Sequence, residues 1–264
     1  MNVETSQPVL LRSLSEGVAT LTLNRPRQRN ALSRPLMAAL HEALDEIHGD
    51  SSVHVVVIEG AGDGFCAGHD LKEVRGTPTR EFYETLFAEC SALMMRIQSL
   101  RQPVIAKVHG VATAAGCQLV ATCDLAVADA GARFATPGVN IGLFCSTPMV
   151  ALTRAVPRKK AMEMLLTGEF LSARQMADSG MINRVVADDV LDQATRDLAS
   201  SIASKSPVAV KIGKEAFYRQ AEMTLQDAYS YTGAVMAENM MSRDAEAGIG
   251  AFIAKEKMPD WTGK

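Results

Sequence analysis

Three short apolar runs, separated by stretches of helical periodicity, constrain the fold of this chain more than any other feature. Residues 53–58 are almost wholly apolar and rich in Val and Ile, and residues 104–108 and 124–128 repeat the pattern. Such runs are typical of strands in a sheet that is covered on both faces. Because parallel strands need a long crossover, usually a helix, the succession predicts an α/β fold with right-handed crossovers.

Amphipathic helices are predicted between these strands. Ser33 is placed to cap the first helix and Gly49 to end it. A second helix follows a glycine-containing loop at 60–68, and residues 112–120 are small, apolar and compatible with a third. The apolar residues that mark the first two helices are Leu36, Leu40, Leu44 and Ile47, and then Phe82, Leu86, Cys90, Leu93 and Ile97.

The two ends of the chain have different patterns. Residues 9–14 and 18–23 flank Ser15-Glu16-Gly17, which predicts an antiparallel hairpin. Beyond Pro148 nearly everything is predicted to be helical, with one helical face marked by Leu191, Leu198 and Ile202 and with helices at 207–218, 224–240 and 244–254. We therefore expect a core at residues 1–200 and a C-terminal helical region at residues 201–264.

Composition narrows the classes of partner. Among 264 residues, 47% are hydrophobic and 22% are charged, the net charge is −3, and no apolar run approaches the length of a membrane span, so neither nucleic acid nor membrane is expected. The cysteines lack metal-binding spacing and the N-terminus lacks a signal-peptide pattern, so we expect no metal and a cytoplasmic protein. The cysteines are Cys66, Cys90, Cys117, Cys123 and Cys145.

Two glycine-containing loops are the main candidates for chemistry. Residues 63–72 read Asp-Gly-Phe-Cys-Ala-Gly-His-Asp-Leu-Lys, and residues 110–118 read Gly-Val-Ala-Thr-Ala-Ala-Gly-Cys-Gln. Either loop alone is more often a plain tight turn, and the GxGxxG pattern of dinucleotide-binding enzymes is missing. If both loops present backbone N–H groups to one point, however, they form an oxyanion hole.

The order of the motifs closely resembles that of the crotonase (enoyl-CoA hydratase/isomerase) superfamily over about residues 8–258. The resemblance implies a crotonase-like spiral of ββα units with a C-terminal helical trimerisation region, found as homotrimers or homohexamers. It also implies acyl-CoA thioester substrates and no tightly bound cofactor, since coenzyme A enters as part of the substrate. Besides the two loops, the matching motifs are Leu23-Asn24-Arg25-Pro26, Asn30-Ala31-Leu32, Thr122-Cys123-Asp124-Leu125-Ala126 and Phe134-Ala135-Thr136-Pro137.

The same resemblance assigns the site residues. The oxyanion hole would use the backbone N–H groups of His69 and Ala115, where Ala115 replaces the middle residue of a Gly-Gly-Gly stretch and is expected to restrict the backbone. Phe252 would come from a neighbouring subunit, and Lys257 would meet the adenosine phosphate end. The remaining substrate contacts would fall on Arg27, Arg29, Ala31, Ala67, His69, Asp70, Leu71, Lys72, Ala115 and Ser146.

The departure from the family concerns its pair of acid/base glutamates, whose positions hold Gln118 and Gly138. Neither residue exchanges a proton near neutral pH. Gln118 retains the ability to orient water, whereas Gly138 is expected to leave only space. Related isomerases place an aspartate where this chain has Ser146, so that substitute is absent too. The resemblance is therefore to a subgroup that lacks both glutamates.

Side chains near these positions have simpler interpretations. The His69 imidazole is favoured as a bystander over a proton shuttle, because the family uses the backbone of this residue. Cys117 and Cys145 are favoured as buried structural thiols over nucleophiles. The basic run Arg158-Lys159-Lys160 is favoured as a solvated helix start over an anion site.

Three functions remain open from the sequence. The leading one is an enzyme of acyl-CoA, and hence fatty-acid, metabolism that stabilises a thioester enolate and hydrates enoyl-CoA weakly or not at all. The second is an acyl-CoA decarboxylase-type enzyme, which needs little more than an enolate sink. The third is a non-catalytic CoA-ester-binding protein that has kept the fold without the chemistry.

Overall fold

The computed structural model of the protein describes residues 7–264, and those residues form two β-sheets covered by helices. A six-stranded sheet runs in the order β1-β2-β3-β4-β6-β9, and a three-stranded sheet in the order β5-β7-β8. The strands are β1 (Leu10–Ser15), β2 (Val18–Leu23), β3 (Val55–Gly60), β4 (Val104–Val108), β5 (Val111–Thr113), β6 (Leu125–Asp129), β7 (Arg133–Ala135), β8 (Leu171–Ser172) and β9 (Arg184–Val186).

The large sheet confirms the predicted hairpin and crossovers. β1 and β2 are antiparallel, whereas β2, β3, β4, β6 and β9 follow one another in parallel. The carboxyl ends of β3 and β4 therefore lie at the same edge of the sheet, and the two glycine-containing loops leave from that edge.

The helices follow the predicted periodicity closely. Ser33 accepts a hydrogen bond from the Leu36 N–H as the cap of α1, as expected. α8 continues across residue 200, so the division at that residue stays a prediction. The helices are α1 (Arg34–Gly49), α2 (Leu71–Gly76), α3 (Arg80–Ser99), α4 (Ala115–Thr122), α5 (Pro148–Ala155), α6 (Arg158–Thr167), α7 (Ala173–Asp178), α8 (Leu191–Ala203), α9 (Pro207–Gln220), α10 (Leu225–Met240) and α11 (Arg243–Ala254).

One sequence prediction of secondary structure is wrong, and a second is incomplete. The expected helix at 112–120 is split, because residues 111–113 form β5, which pairs with β7 and bridges Cys66 at Ala112. The expectation of an almost entirely helical chain beyond Pro148 misses β8 and β9. These strands are only two and three residues long, too short to show a period in the sequence, and they exist because a neighbouring strand pairs with them.

A buried polar cluster fastens the C-terminal helices to the sheet. The Lys214 ammonium of α9 lies 2.6 Å from the Asp124 carboxylate and donates to the carbonyls of Ile97 and Gln102. The Tyr218 hydroxyl donates to the other Asp124 oxygen at 2.8 Å. The aspartate in the motif at 122–126 is therefore a structural anchor, which the motif alone did not reveal.

Candidate active site

A buried asparagine holds the first glycine-containing loop in place. The Asn30 side chain, fully buried, donates to the carbonyls of Ala61 and Gly64 at 2.8 Å and accepts from the Arg25 N–H. The Arg25 guanidinium in turn donates to Asp70 at 2.8 Å. The motif around residues 23–32 thus fixes the loop that follows β3.

The backbone of His69 has an unused donor. Leu32 and His69 form a parallel bridge whose hydrogen bonds run from Leu32 N–H to Gly68 O at 2.7 Å and from Asp70 N–H to Leu32 O at 3.3 Å. In this arrangement the N–H of the bridged residue itself points away from Leu32. Within residues 7–264 it meets no acceptor, so it is free for a ligand.

The Ala115 N–H is the second donor. Ala115 is the first residue of α4, where an N–H has no partner inside the helix, and no acceptor within the described chain replaces one. A Cβ atom placed on Gly68 would lie 3.2 Å from the Ala115 nitrogen and 2.9 Å from the Ala114 Cβ. The two loops are therefore in contact, as an oxyanion hole requires, and α4 adds its positive dipole end.

Backbone strain in the second loop falls on Ala114 and not on Ala115. Ala114 has φ 49° and ψ −117°, a conformation that favours glycine, whereas Ala115 has no positive φ. The expectation that Ala115 restricts the backbone is therefore misplaced by one residue. Hydrogen bonds from Ala114 N–H to Ala135 O and from Gln118 N–H to Ala114 O hold the strained turn in place.

The two positions that hold glutamates in the family, Gln118 and Gly138, lie in segments that are neighbours, and the segment of Gln118 begins at Ala115. Gln118 is buried in α4, and its side-chain oxygen accepts no hydrogen bond from residues 7–264. Gly138 lies in a short 3-10 helix (Pro137–Ile141), which follows β7 after Thr136. Cys145 lies against Gly138 and close enough to Cys117 to affect its thiol, so the two segments are neighbours.

The expectation that Gly138 leaves empty space is wrong. A Cβ atom at this position would lie 2.6 Å from the Leu143 carbonyl oxygen and 2.9 Å from the Cys145 sulfur. The chain from 138 to 145 doubles back, since Leu143 N–H donates to Gly138 O at 2.9 Å. The room that a glutamate would need is filled by this turn, and no neighbour in sequence signals it.

Most of the expected CoA contacts are brought together. The Ala67 N–H donates to Arg29 O at 3.0 Å, so the backbones of 27–31 and 67–72 run side by side. Arg27, Arg29 and Lys72 carry exposed charges along this edge, and Leu71 is 54% exposed. Their role in CoA binding stays a prediction.

Four other expected substrate contacts have surroundings unlike those of the exposed charges along 27–31 and 67–72. They are Asp70, Ser146, Phe252 and Lys257. Burial alone would raise the pKa of Asp70, but hydrogen bonds from Arg25 and from the N–H groups that it caps in α2 lower it, so its carboxylate is engaged within the protein. Ser146 is exposed at the start of α5 and its hydroxyl contacts Phe144 O. Phe252 is 75% exposed on α11 and Lys257 lies exposed beyond it.

The His69 side chain is held in a largely apolar pocket. Its ring packs edge-on to Phe87, with centroids 5.7 Å apart, and neither ring nitrogen has a hydrogen-bond partner among residues 7–264. Burial lowers the pKa of this imidazole, and the nearby Leu32 carbonyl, outside hydrogen-bonding geometry, offsets only part of the effect. The ring is therefore neutral near pH 7.

The cysteines behave as structural thiols, as expected. All five are buried and free. Burial raises the pKa of the Cys117 thiol to about 12, and it raises the pKa of Cys145 as well. Neither thiol is poised for nucleophilic attack at neutral pH. Lys159 of the basic run is exposed at the start of α6, as a solvated helix start predicts.

Known proteins share this architecture along nearly the whole chain. Residues 13–264 match the family model described as enoyl-CoA hydratase/isomerase. Enoyl-CoA hydratase domain-containing protein 3, mitochondrial, of Xenopus laevis is 46% identical, and the match covers 97% of this chain and 86% of that relative. The similarity includes both sheets and the C-terminal helices.

Solved structures confirm the crotonase-like fold. An enoyl-CoA hydratase of Mycobacterium smegmatis is 54% identical with a TM-score of 0.95, covering 96% of this chain and 99% of that one. Human enoyl-CoA hydratase domain-containing protein 3 is 43% identical with a TM-score of 0.93, covering 95% of this chain and 99% of that one.

The expected cytoplasmic location is contradicted by these comparisons. The Xenopus laevis relative and four further vertebrate relatives carry the word mitochondrial in their names. Free cysteines indicate reducing surroundings and not one particular compartment, because addresses are read by receptors from short segments. Among residues 7–264, no helix has the length and hydropathy to cross a bilayer, and no three acidic, His or Cys side chains are grouped to hold a metal.

Proposed function

The chain belongs to the enoyl-CoA hydratase/isomerase family, and on that premise we propose that it binds acyl-CoA thioesters and stabilises an enolate-like state of the thioester. The observation that carries the proposal is the pair of unbonded N–H groups, on His69 and Ala115, in two loops that touch. The thioester carbonyl would accept from both.

The two N–H donors would stabilise the transition state more than the ground state. Negative charge grows on the carbonyl oxygen as an enolate forms. Hydrogen bonds from donors that are already fixed in place become stronger as this charge grows. Loss of one such donor typically lowers rates by about 10²–10³-fold. The hole needs no ionisable side chain, since both donors are backbone groups.

The CoA part of the substrate would lie along the edge formed by residues 27–31 and 67–72. The exposed charges of Arg27, Arg29 and Lys72 suit its phosphates, which are recognised by guanidinium and ammonium groups. Coenzyme A would be present only as part of the thioester and not as a resident cofactor.

Titration with a non-hydrolysable acyl-CoA analogue tests the placement. The backbone amide resonances of His69 and Ala115 should shift together as the analogue saturates the protein. Saturable binding that leaves both resonances unmoved would place the ligand elsewhere and overturn the proposed hole.

The preference of the protein for a ligand that carries a carbonyl group tests the hole. The protein should bind an acyl-CoA thioester about 10-fold or more tightly than the matching thioether, because two hydrogen bonds are worth about 0.5–1.5 kcal/mol each. Gly68→Ala should remove that preference, since its Cβ would press on Ala114 and the Ala115 nitrogen.

Gly49→Ala is the matched control, because a Cβ at the end of α1 meets nothing within 4 Å. It should leave the preference unchanged. Equal affinities for thioester and thioether in the unmodified protein would contradict the proposal, as would a preference that survives Gly68→Ala in a folded protein.

Decarboxylation of a malonyl-type CoA ester is a second candidate reaction. It is favoured by a specific observation: the free donors lie beside Gln118 and a glycine whose surroundings admit no acid. Loss of CO₂ leaves an enolate that the hole stabilises and that water protonates, so no protein acid is needed. Turnover across enoyl-, dienoyl- and malonyl-CoA esters, measured beside the affinity of each, separates this reaction from hydration and from binding without turnover.

The C-terminal helices support a self-associating protein, and we propose a homotrimer or a pair of trimers. Leu225 and Tyr229 on α10 and Phe252 on α11 are each more than 70% exposed, which is unusual for large apolar side chains that remain in water. Sedimentation at micromolar concentration should give a trimer or hexamer.

Leu225→Lys with Phe252→Lys should shift the assembly toward monomer, whereas Leu14→Lys on the edge strand should not. A stable monomer of the unmodified chain would contradict the assembly. It would also remove the neighbouring Phe252 from the acyl-CoA site.

A further inference from the structure

A cavity in the described part of the chain lies at the opposite end of the sheet from the two glycine-containing loops. Its volume is about 920 Å³, and it opens beside residues 51–54 and 101–102, which precede β3 and β4. Those strands are parallel and the loops of His69 and Ala115 follow their other ends. One strand of five or six residues, about 17–20 Å, therefore separates the two regions.

Unpaired cations surround this cavity. Arg101, Lys205 and Lys211 line it, and no carboxylate lies within salt-bridge distance of any of them in residues 7–264. Asp260 is the acidic residue of the lining, and Asp50 lies near enough to Arg101 for that charge, after the hydrogen bonds from Ser52, to lower its pKa. Three cations against these two carboxylates leave one positive charge in excess.

An aromatic ring completes the lining. Trp261, in the segment after α11, is held by a hydrogen bond from its indole N–H to Ser204 O at 2.8 Å. The N–H groups of Thr262 and Gly263 donate to the buried Asp244 carboxylate and fix the backbone that follows the ring. A fixed indole beside cations is suited to stack on a planar base whose phosphates meet the charges.

A buried polar side chain forms part of the floor of the cavity. Gln102, 3% exposed, lines the cavity, and its side-chain oxygen accepts no hydrogen bond within residues 7–264 although its side-chain nitrogen donates to three carbonyls. This oxygen exposes almost no surface to the cavity, so the Gln102 side chain belongs to the packed floor of the site and not to its ligand-binding surface.

We propose that this cavity is a second ligand site that binds a free nucleoside diphosphate, separate from the acyl-CoA site. The volume is that of sites for small ligands, about 300–1,000 Å³. The phosphates lie against Arg101 and Lys211, and the base stacks on Trp261. Neither the oxyanion hole nor any residue placed there takes part.

Trp261 provides the measurement, since it is the sole tryptophan of the chain. Titration with ADP should change its fluorescence saturably, and added salt should weaken the binding. Adenosine and inorganic pyrophosphate should each bind at least about 10-fold more weakly, because each lacks one half of the ligand. No saturable change, or pyrophosphate as tight as ADP, would overturn the proposal.

Variants locate the site. Arg101→Met combined with Lys211→Met should weaken the affinity for ADP by about 10²-fold, as expected for the loss of two charge-assisted contacts. Lys159→Met on α6 should leave this affinity unchanged. Lys205→Glu is the second variant, since it reverses an exposed charge without touching a buried group. Unchanged affinity in both folded variants would place ADP elsewhere.

Coenzyme A contains the same diphosphate, so its titration is run in parallel and the two sources are compared. ADP should change the fluorescence at lower concentration than CoA, and Lys72→Ala at the proposed acyl-CoA edge should leave ADP binding unaltered. Tighter binding of CoA, or loss of ADP binding in Lys72→Ala, would make the occupant part of the CoA substrate and overturn a separate site.

Discussion

The oxyanion loops and the wall of Gln118 and Gly138 lie side by side but differ in what the fold guarantees. In the loops the proposed functional groups are backbone N–H groups, and they stay unbonded within residues 7–264 although Ala114 and Ala115 replace glycines of the family pattern. On the wall the functional groups would be side chains, and substitution removes them. Backbone function survives a change of residue as long as the turn is kept, whereas acid/base function does not.

The two regions also differ in packing, because the surroundings of Gly138 are filled by the chain itself. The Leu143 carbonyl and the Cys145 sulfur lie where a side chain at 138 would begin. A return to hydration by two substitutions is therefore harder than the sequence suggests, because the 138–145 turn must move as well. The packing around Gly138 therefore leaves no room for an acidic side chain.

The largest expected effect is on hydration itself. The unmodified chain should hydrate crotonyl-CoA at least about 10⁴-fold more slowly than a hydratase with both glutamates, since each positioned acid or base contributes about 10²–10⁴-fold. Loss of the enoyl absorbance measures the rate. Turnover of about 10–10³ s⁻¹ is ordinary for enzymes. Such a rate would show that another side chain acts as the base and would contradict the loss of acid/base function at positions 118 and 138.

Restoring the glutamates one at a time tests how tightly the surroundings of Gly138 are packed. Gln118→Glu alone should raise hydration by about 10²-fold at most, whereas adding Gly138→Glu should bring little further gain and should lower the melting temperature, because its Cβ meets Leu143 O at 2.6 Å. Rates and melting curves of both variants decide the matter. A large, stable gain in the double variant would show that the turn yields easily.

Strain in the loops should appear in stability. Ala114→Gly should raise the free energy of unfolding by about 1 kcal/mol, since glycine adopts φ 49° without the cost that alanine bears there. Ala121→Gly, inside α4 with ordinary helical φ, should lower it by about 0.5–1 kcal/mol. Denaturant unfolding measures both, and destabilisation by Ala114→Gly would contradict the strain.

The smallest expected effect concerns the His69 side chain. Because burial holds its pKa below the ordinary value near about 6.5, acid protonates the unfolded chain first, and stability falls as the pH drops below that value, by at most about 1.4 kcal/mol per pH unit. His69→Gln should make the fall between pH 7 and 5 shallower. It should leave the thioester preference within about threefold, since the donor is the backbone.

His41→Gln, a histidine on the outer part of α1, is the control for loss of an imidazole. Loss of the thioester preference in a folded His69→Gln variant would show that the ring, and not the backbone alone, serves the hole.

The sequence alone determined the repeating architecture and the candidate loops. Helical periods such as that of Leu36 to Ile47, the strand at 104–108 and the glycine-containing loops are local patterns, and local geometry is enough to predict them. The order of the motifs predicted the fold, and the residues at 118 and 138 predict that the acid/base pair of the family is missing.

Only the tertiary structure decided what lies between those patterns. β5, β8 and β9 exist because distant strands pair with them, the strain belongs to Ala114 because Ala135 and the start of α4 fix that turn, and Gly138 is enclosed by a turn that returns five residues later. The cavity of Arg101, Lys211 and Trp261 joins segments more than 100 residues apart. Each depends on contacts between distant parts of the chain, which packing and hydrogen bonding determine and a linear pattern does not contain.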